Sequence, residues 1–259
     1  MLLGDVIEHF NKTIAEGVNY CSPARSSTLQ QQQCYLLEHL QRNATLNKCK
    51  AIELNIENEA NLFLGFECII GAVLCELRMW ILLKLDRADQ AWDQLISAQM
   101  AAMDALRAHK SFSKATIILK RLEDYEEVLF PPQAFVSAGF ISKSIECSIC
   151  NKEYSDCDHL RNKPYMGTFC DVIFRGVTGD HIAMVKFPAD KRCRFTSYKT
   201  PSGHQNKMTL EITEYKDNEE YRDDGTLEAK AIFFALDRHP YFRPTDQVLV
   251  DSPKSENSV

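Results

Sequence analysis

The chain has 259 residues, of which 45% are hydrophobic and 25% charged, with 10 Gly and 9 Pro. This is an ordinary globular composition and excludes a collagen-like, low-complexity or wholly disordered protein. Lys and Arg total 30 against 36 Asp and Glu, a net charge of −6, which argues against a protein that holds nucleic acid mainly through its phosphates.

Met1–Phe10 has neither a basic start nor an apolar stretch long enough for a signal peptide. Five of the ten cysteines, Cys21, Cys34, Cys49, Cys68 and Cys75, are scattered among helical, apolar stretches, where a free thiol behaves as a small hydrophobe. A reducing, cytoplasmic compartment is the expectation.

Leu29–Gln41 is the first helix candidate, with Gln30–Gln33 expected on a solvated face. From Asn58 to Leu85 there is no proline, and the only glycines are Gly65 and Gly71. Leu62, Phe66, Ile69, Val73, Leu77, Trp80 and Lys84 step by three or four, which predicts a helix with one broad buried face. Its most apolar run, Leu62–Leu74, is interrupted by Glu67. It falls short of the roughly 20 apolar residues of a membrane span, so a buried helix with no membrane contact is expected.

Asp86 is placed to cap the next helix, Ala88–His109. Ala91, Leu95, Ala98, Ala102, Ala105 and Ala108 share one side of it, and small residues at this spacing allow close helix packing. Asn58–His109 therefore reads as an antiparallel helix hairpin. One such unit is visible, with no countable repeat. Ser111 or Ser113 can cap a further helix to Leu129.

Phe130-Pro131-Pro132 ends the helical pattern, because proline removes a backbone donor and keeps its predecessor out of helical angles. Ala134–Ile141, Cys170–Phe174, His181–Phe187, Arg194–Tyr198 and Met208–Tyr215 then read as short strands. Leu227–Leu236 fits a strand or a helix. The predicted class is α+β: a helical domain over 1–130, a zinc-stabilised β-rich domain over 131–250, and a frayed tail over 251–259.

The strongest local signal is Cys147-Ser148-Ile149-Cys150, then Cys157-Asp158-His159, then Cys170. A C-x2-C turn lets two thiolates meet one tetrahedral Zn2+. In extended chain, residues two apart point the same way, so Cys157 and His159 can both face the ion while Asp158 faces out. Four of these five donors make a closed structural zinc site. Cys147, Cys150, Cys157 and His159 are the preferred set, and Cys170 can replace either member of the second pair.

The segments CSICNKEYSDCDHL, KPYMGTFC and DHIAMVKFPADKRC are similar to a motif set of uncharacterised bacterial and phage-associated proteins. Part of this region resembles the later segment of phage prohead proteases, in which an apolar strand with the nucleophilic serine precedes a Pro-Ala pair and a basic residue. Here His181–Val185 precedes Pro188-Ala189, and Ala183 stands at the serine position. The resemblance implies a protease-like scaffold without a nucleophile, and it covers about a fifth of the chain. Cys147–Cys150 followed by Asp158-His159-Leu160 also resembles HNH nucleases, which implies a metal-bound water activated by His159. The second C-x2-C and the Asn-and-His helix of that family are missing, and Asn162 and Asp180-His181 are poor replacements.

Lys186, Lys191, Arg192 and Arg194, with Phe187, Phe195 and Tyr198, form a locally basic aromatic stretch. It is read as a charged strand edge, or as an anion or nucleic-acid contact. Glu211–Glu228 is acidic and is read as a solvated loop or a partner for the basic strand. His239-Pro240-Tyr241-Phe242-Arg243-Pro244 is expected to pack on the β domain or to dock a partner. No phosphate loop, dinucleotide fingerprint or nucleophile elbow occurs. The expectation is a non-enzymatic zinc-binding adaptor whose helical half docks a protein partner or a second copy. The contrasting expectation is a metal-dependent, HNH-like nuclease or other hydrolase.

Overall fold

The computed structural model describes residues 3–216, 227–230 and 238–250. Five helices come first: α1 (Leu3–Val18), α2 (Ser27–Glu53), α3 (Glu57–Lys84), α4 (Ala88–Ala108) and α5 (Ala115–Leu129). The strands follow as β1 (Phe135–Ile141), β2 (Ser144–Cys147), β3 (Pro164–Tyr165), β4 (Thr168–Phe169) and β5 (Val172–Arg175). Then come β6 (Thr178–Val185), β7 (Arg194–Thr200), β8 (Gly203–Asn206), β9 (Ile212–Thr213), β10 (Leu227–Lys230) and a last helix α6 (Thr245–Val250). The class is α+β, as the change of residue pattern predicts.

Helix α3 is the centre of the helical unit and packs chiefly on α2 and α4. The sequence pattern suggests one buried face, but every residue from Leu62 to Leu82 is buried. A helix enclosed on all sides must neutralise its own charges, and α3 does so by reaching different neighbours. Glu67 binds Lys48 of α2 at 2.5 Å, and Glu76 binds Arg121 of α5 at 2.6 Å. Arg78, fully buried, binds Glu38 of α2 at 3.0 Å. Among the described residues no helix is long and apolar enough to cross a membrane.

Both connections flanking α3 use a polar residue in the left-handed region. Asn55 has φ 56° and Asp86 has φ 55°, a conformation that Asn and Asp tolerate better than other residues with a Cβ. Asp86 therefore ends α3, its N–H bonding Leu83 O, while the Arg87 N–H returns to Leu82 O. The N-cap position expected of Asp86 falls to Arg87, whose side chain makes no capping bond to the first turn of α4. Gln30 corrects a second expectation. It is fully buried, and its amide donates to the carbonyls of Tyr20 and Ser22 at 2.9 Å while Lys84 donates to its Oε1.

The two glycines of α3 mark close approaches. A Cβ on Gly65 would lie 2.1 Å from the Phe112 ring, and one on Gly71 would lie 2.7 Å from the Tyr241 ring. Tyr241 belongs to the aromatic turn His239–Phe242, which lies on α3 and α4 rather than on the β sheet. Its hydroxyl donates to Asp104 Oδ2 at 2.9 Å and sits 2.8 Å from His239 Nδ1. Next along the chain, Thr245 receives Arg78 Nε on its hydroxyl at 3.1 Å and gives its N–H to Glu38 Oε1 at 2.6 Å. Residues 239–250 thus form a strap held by aromatic packing, a buried carboxylate and a buried arginine.

The division of the chain differs from a single cut at Pro131-Pro132. One unit comprises Met1–Leu122, Asn162–Phe169 and His239–Val259; the other comprises Glu123–Arg161 and Cys170–Arg238. The strap, and the small β3–β4 hairpin, rejoin the helices. In the hairpin the Gly167 N–H is taken by Asn61 Oδ1 at 2.8 Å. The expected tail 251–259, most of the acidic stretch 217–226, and 231–236 of the last strand candidate lie outside the described residues.

In the second unit the main sheet runs β6-β1-β7-β8-β9, with β10 also on β7. Its small core joins Val136, Cys193 and Phe195, with Ala134 packed on them. Strands β1 and β6 are antiparallel with a bulge after Gly139, where the His181 ring covers the glycine. Of the Met208–Tyr215 candidate only β9 is strand, and it pairs with β8, a strand outside the predicted set. Strands β2 and β5 form a separate antiparallel pair with Cys147 opposite Val172, and this ladder carries the cysteine cluster.

Candidate metal centre

Strand β2 ends on Cys147, and the chain folds back at once. Cys147 N–H donates to Lys152 O at 2.9 Å, Asn151 N–H donates to Cys147 O at 2.8 Å, and Ile149 N–H donates to Cys147 Sγ at 3.4 Å. Asn151 takes φ 57° to close this turn. A backbone N–H aimed at a cysteine sulfur stabilises the thiolate, the form that binds metal. Burial pushes the Cys147 thiol up, but the backbone N–H groups of Cys150 and Ile149, with the Cys157 and Cys170 thiols, outweigh it and bring it down to about 6.

The second pair arrives on an extended segment. Glu153 pairs back to Glu146 and accepts the Ile145 N–H at 3.1 Å. A 3-10 turn at Tyr154–Asp156 then delivers Cys157 in extended conformation, φ −134° and ψ 154°. The Tyr154 hydroxyl accepts the Arg161 N–H at 3.0 Å, which closes the loop behind His159. The donor atoms of Cys147, Cys150, Cys157 and His159 all lie within 4.8 Å of one another. A tetrahedral ion with metal–sulfur bonds of about 2.3 Å sets its sulfurs about 3.8 Å apart, so the set needs only a small contraction to close. These four residues are arranged to hold a metal ion. Glu153, Asp156 and Asp158 are exposed.

Cys170 stands outside this mutual set, with its sulfur 3.7 Å from Cys147 Sγ. Burial, together with its neighbour Cys147, pushes its thiol up to about 11. Burial likewise raises Cys157. The strand that leads from Cys170 is fastened to the C-x2-C turn by Ser148, whose hydroxyl accepts Asp171 N–H at 2.7 Å and whose N–H donates to Asp171 O at 3.0 Å. Asp171 also meets Arg161 at 3.4 Å. Ser148, Asn151, Tyr154 and Asp171 are supporting residues that motif spacing does not reveal. Only the turn-forming character of Ser148 inside the C-x2-C segment and of Asn151 just after it hints at them.

The other candidates do not gather into a site. Lys191 is bound to Glu126 at 2.7 and 2.9 Å, and Arg192 forks onto Asp190. Arg194 is buried and donates to Gln133 Oε1 at 3.3 Å. Lys186 is exposed and lies over the Phe187 ring. Three of the four cations are thus committed to carboxylates or to the interior, and no basic face results from them. Ala183 sits on β6 opposite Ser137. Asp180 and His181 contact each other at 2.9 Å on the exposed part of the same strand. Ser197 donates to Glu228, whose other oxygen lies 3.2 Å from His204 Nδ1. Here the carboxylate, not the imidazole, meets the serine hydroxyl, the reverse of the order that activates a serine nucleophile.

No protein-family profile, curated protein or solved structure matches the chain.

Proposed function

We propose that this chain is a non-enzymatic zinc-binding interaction protein. The metal centre stabilises the β-rich unit, and the helical unit docks a protein partner or a second copy. The observation that carries the reading is the donor set of three cysteines and one histidine, whose ligand atoms all lie within 4.8 Å of one another. Three sulfurs and one imidazole nitrogen suit Zn2+, and four protein ligands fill its tetrahedron, the pattern of a structural rather than a catalytic site. Ten free cysteines support a reducing compartment. Leu36 and Leu46 of α2, 55% and 60% exposed, support docking on the helical side. The test is elemental analysis of protein purified without chelator, with light scattering and crosslinking to read the assembly. About one tightly held zinc per chain is expected; a metal-free, fully folded protein refutes the reading.

A further inference from the structure

We propose that Cys147 and Cys170 form an oxidation site built into the metal centre: under hydrogen peroxide they close a disulfide, and the metal is released. The inference rests on reading Cys147, Cys150, Cys157 and His159 as a metal centre, and it adds a means of regulating that centre.

The geometry supplies a fourth sulfur, and so a fifth donor, where four donors already suffice. Cys170 Sγ is 3.7 Å from Cys147 Sγ, outside the mutual donor set. Forming a bond of about 2.05 Å needs an approach of under about 2 Å. Cys147 ends β2 opposite Val172, Cys170 lies two residues before β5, and the Ser148–Asp171 hydrogen bonds hold the two segments together. Both residues are fully buried, whereas Cys150 and Cys157 are partly exposed. Oxidant therefore meets the outer thiols first, and the inner pair receives the disulfide by exchange.

Counted from neutral thiols, the Cys157 sulfur attacks one peroxide oxygen, the O–O bond breaks, and sulfenic acid and water form. The Cys147 sulfur then attacks the Cys157 sulfur, the S–O bond breaks, and a second water leaves. The Cys170 sulfur attacks Cys147, displacing Cys157 as a thiol that keeps the transferred proton. In sum, two thiols and one peroxide give one disulfide and two waters. Cys147 is thereby lost as a thiolate ligand, and a four-coordinate site falls to three donors. Two equivalents of a thiol reductant reverse the change.

The experiment titrates the zinc-loaded full chain with hydrogen peroxide, follows released zinc with a chromogenic chelator, and maps peptides without reduction. The expected result is a linked Cys147–Cys170 peptide that accumulates in step with zinc release, both reversed by dithiothreitol and added zinc. Cys170→Ser should bind zinc like the parent, yield no such link, and oxidise irreversibly to sulfinic acid at a larger share of its chains. Links confined to Cys147, Cys150 and Cys157 in the parent overturn the proposal, as does loss of zinc from a folded Cys170→Ser, which would make Cys170 a ligand. Should that variant fail to fold, the parent's peptide map decides alone. A chain purified without zinc refutes the metal centre, yet a Cys147–Cys170 link formed in it by peroxide would still establish the oxidation site.

Discussion

The ring of Tyr241 occupies the space that a side chain on Gly71 would need, so the turn His239–Phe242 and the middle of α3 are fitted to each other. Gly71→Ala should displace the turn His239–Phe242 while leaving α3 itself helical, since alanine favours a helix over glycine. Limited proteolysis should then cut near His239 sooner than in the parent, with little loss of circular dichroism.

Tyr241 also predicts a response to alkali. Burial, with Cys68 and Asp104 beside it, raises its phenol well above 10. The unfolded chain ionises near the ordinary value while the folded chain resists. Its contribution is therefore complete below about pH 10 and lost as the pH rises toward the folded value. Buried thiols act with the same sign, Cys34 being pushed up to about 12. Melting temperature should fall steeply above pH 10, and less steeply in Tyr241→Phe. That variant should also lose about 1–3 kcal/mol at neutral pH, because the Asp104 carboxylate keeps its burial but loses a donor.

Arg78 should be among the most sensitive positions. Replacing it by Met leaves Glu38 facing Thr245 without its cation, a loss of about 3–5 kcal/mol for a broken buried pair. Glu38→Gln added to it should recover part of that loss. Denaturant unfolding of the single and double variants reads the coupling.

In the metal centre, Asn151 offers a test that leaves every ligand in place. Its φ of 57° is one that a β-branched residue resists. Asn151→Val should cost about 1–2 kcal/mol of turn stability and weaken metal binding. Asn151→Gly should retain binding. Competition with a metallochromic chelator separates the two.

Chelator or acid should act on the same unit. Zinc binding requires deprotonated cysteines and a neutral histidine, so affinity falls as pH is lowered. Metal removal, or Cys147→Ser, should expose residues 142–161 and 170–200 to protease while most helical signal survives. An unchanged digestion pattern would show that these thiols are not structural ligands.

What the sequence disclosed was local. The steps of three and four in α3, the double proline, the C-x2-C turn and the C-x-H segment all act within a few residues of themselves, so periodicity and spacing reveal them. Gln30 sits in a run whose polarity suggests solvent, because its burial depends on the carbonyls of Tyr20 and Ser22 and on Lys84, partners outside its own helix. The strap was misplaced for a similar reason: Tyr241 finds Asp104 from 137 positions away, and a run of aromatic and proline residues does not say which surface will receive it. The basic stretch reads as a charged strand edge or an anion contact because spacing does not show that Glu126, 65 positions away, takes Lys191, or that Arg192 folds back onto Asp190.

The interleaving of the two units sets a timetable for synthesis. A ribosome releases α1 to α4 early, yet the strap that fills the ground between Gly71, Asp104 and Arg78 is made only after the β-rich unit. Until then the nascent chain carries a buried-type arginine and an open aromatic socket, the kind of surface that chaperones retain. A stop codon before His239 would prolong that interval indefinitely, so such a product is expected in the insoluble fraction with all of its principal helices encoded.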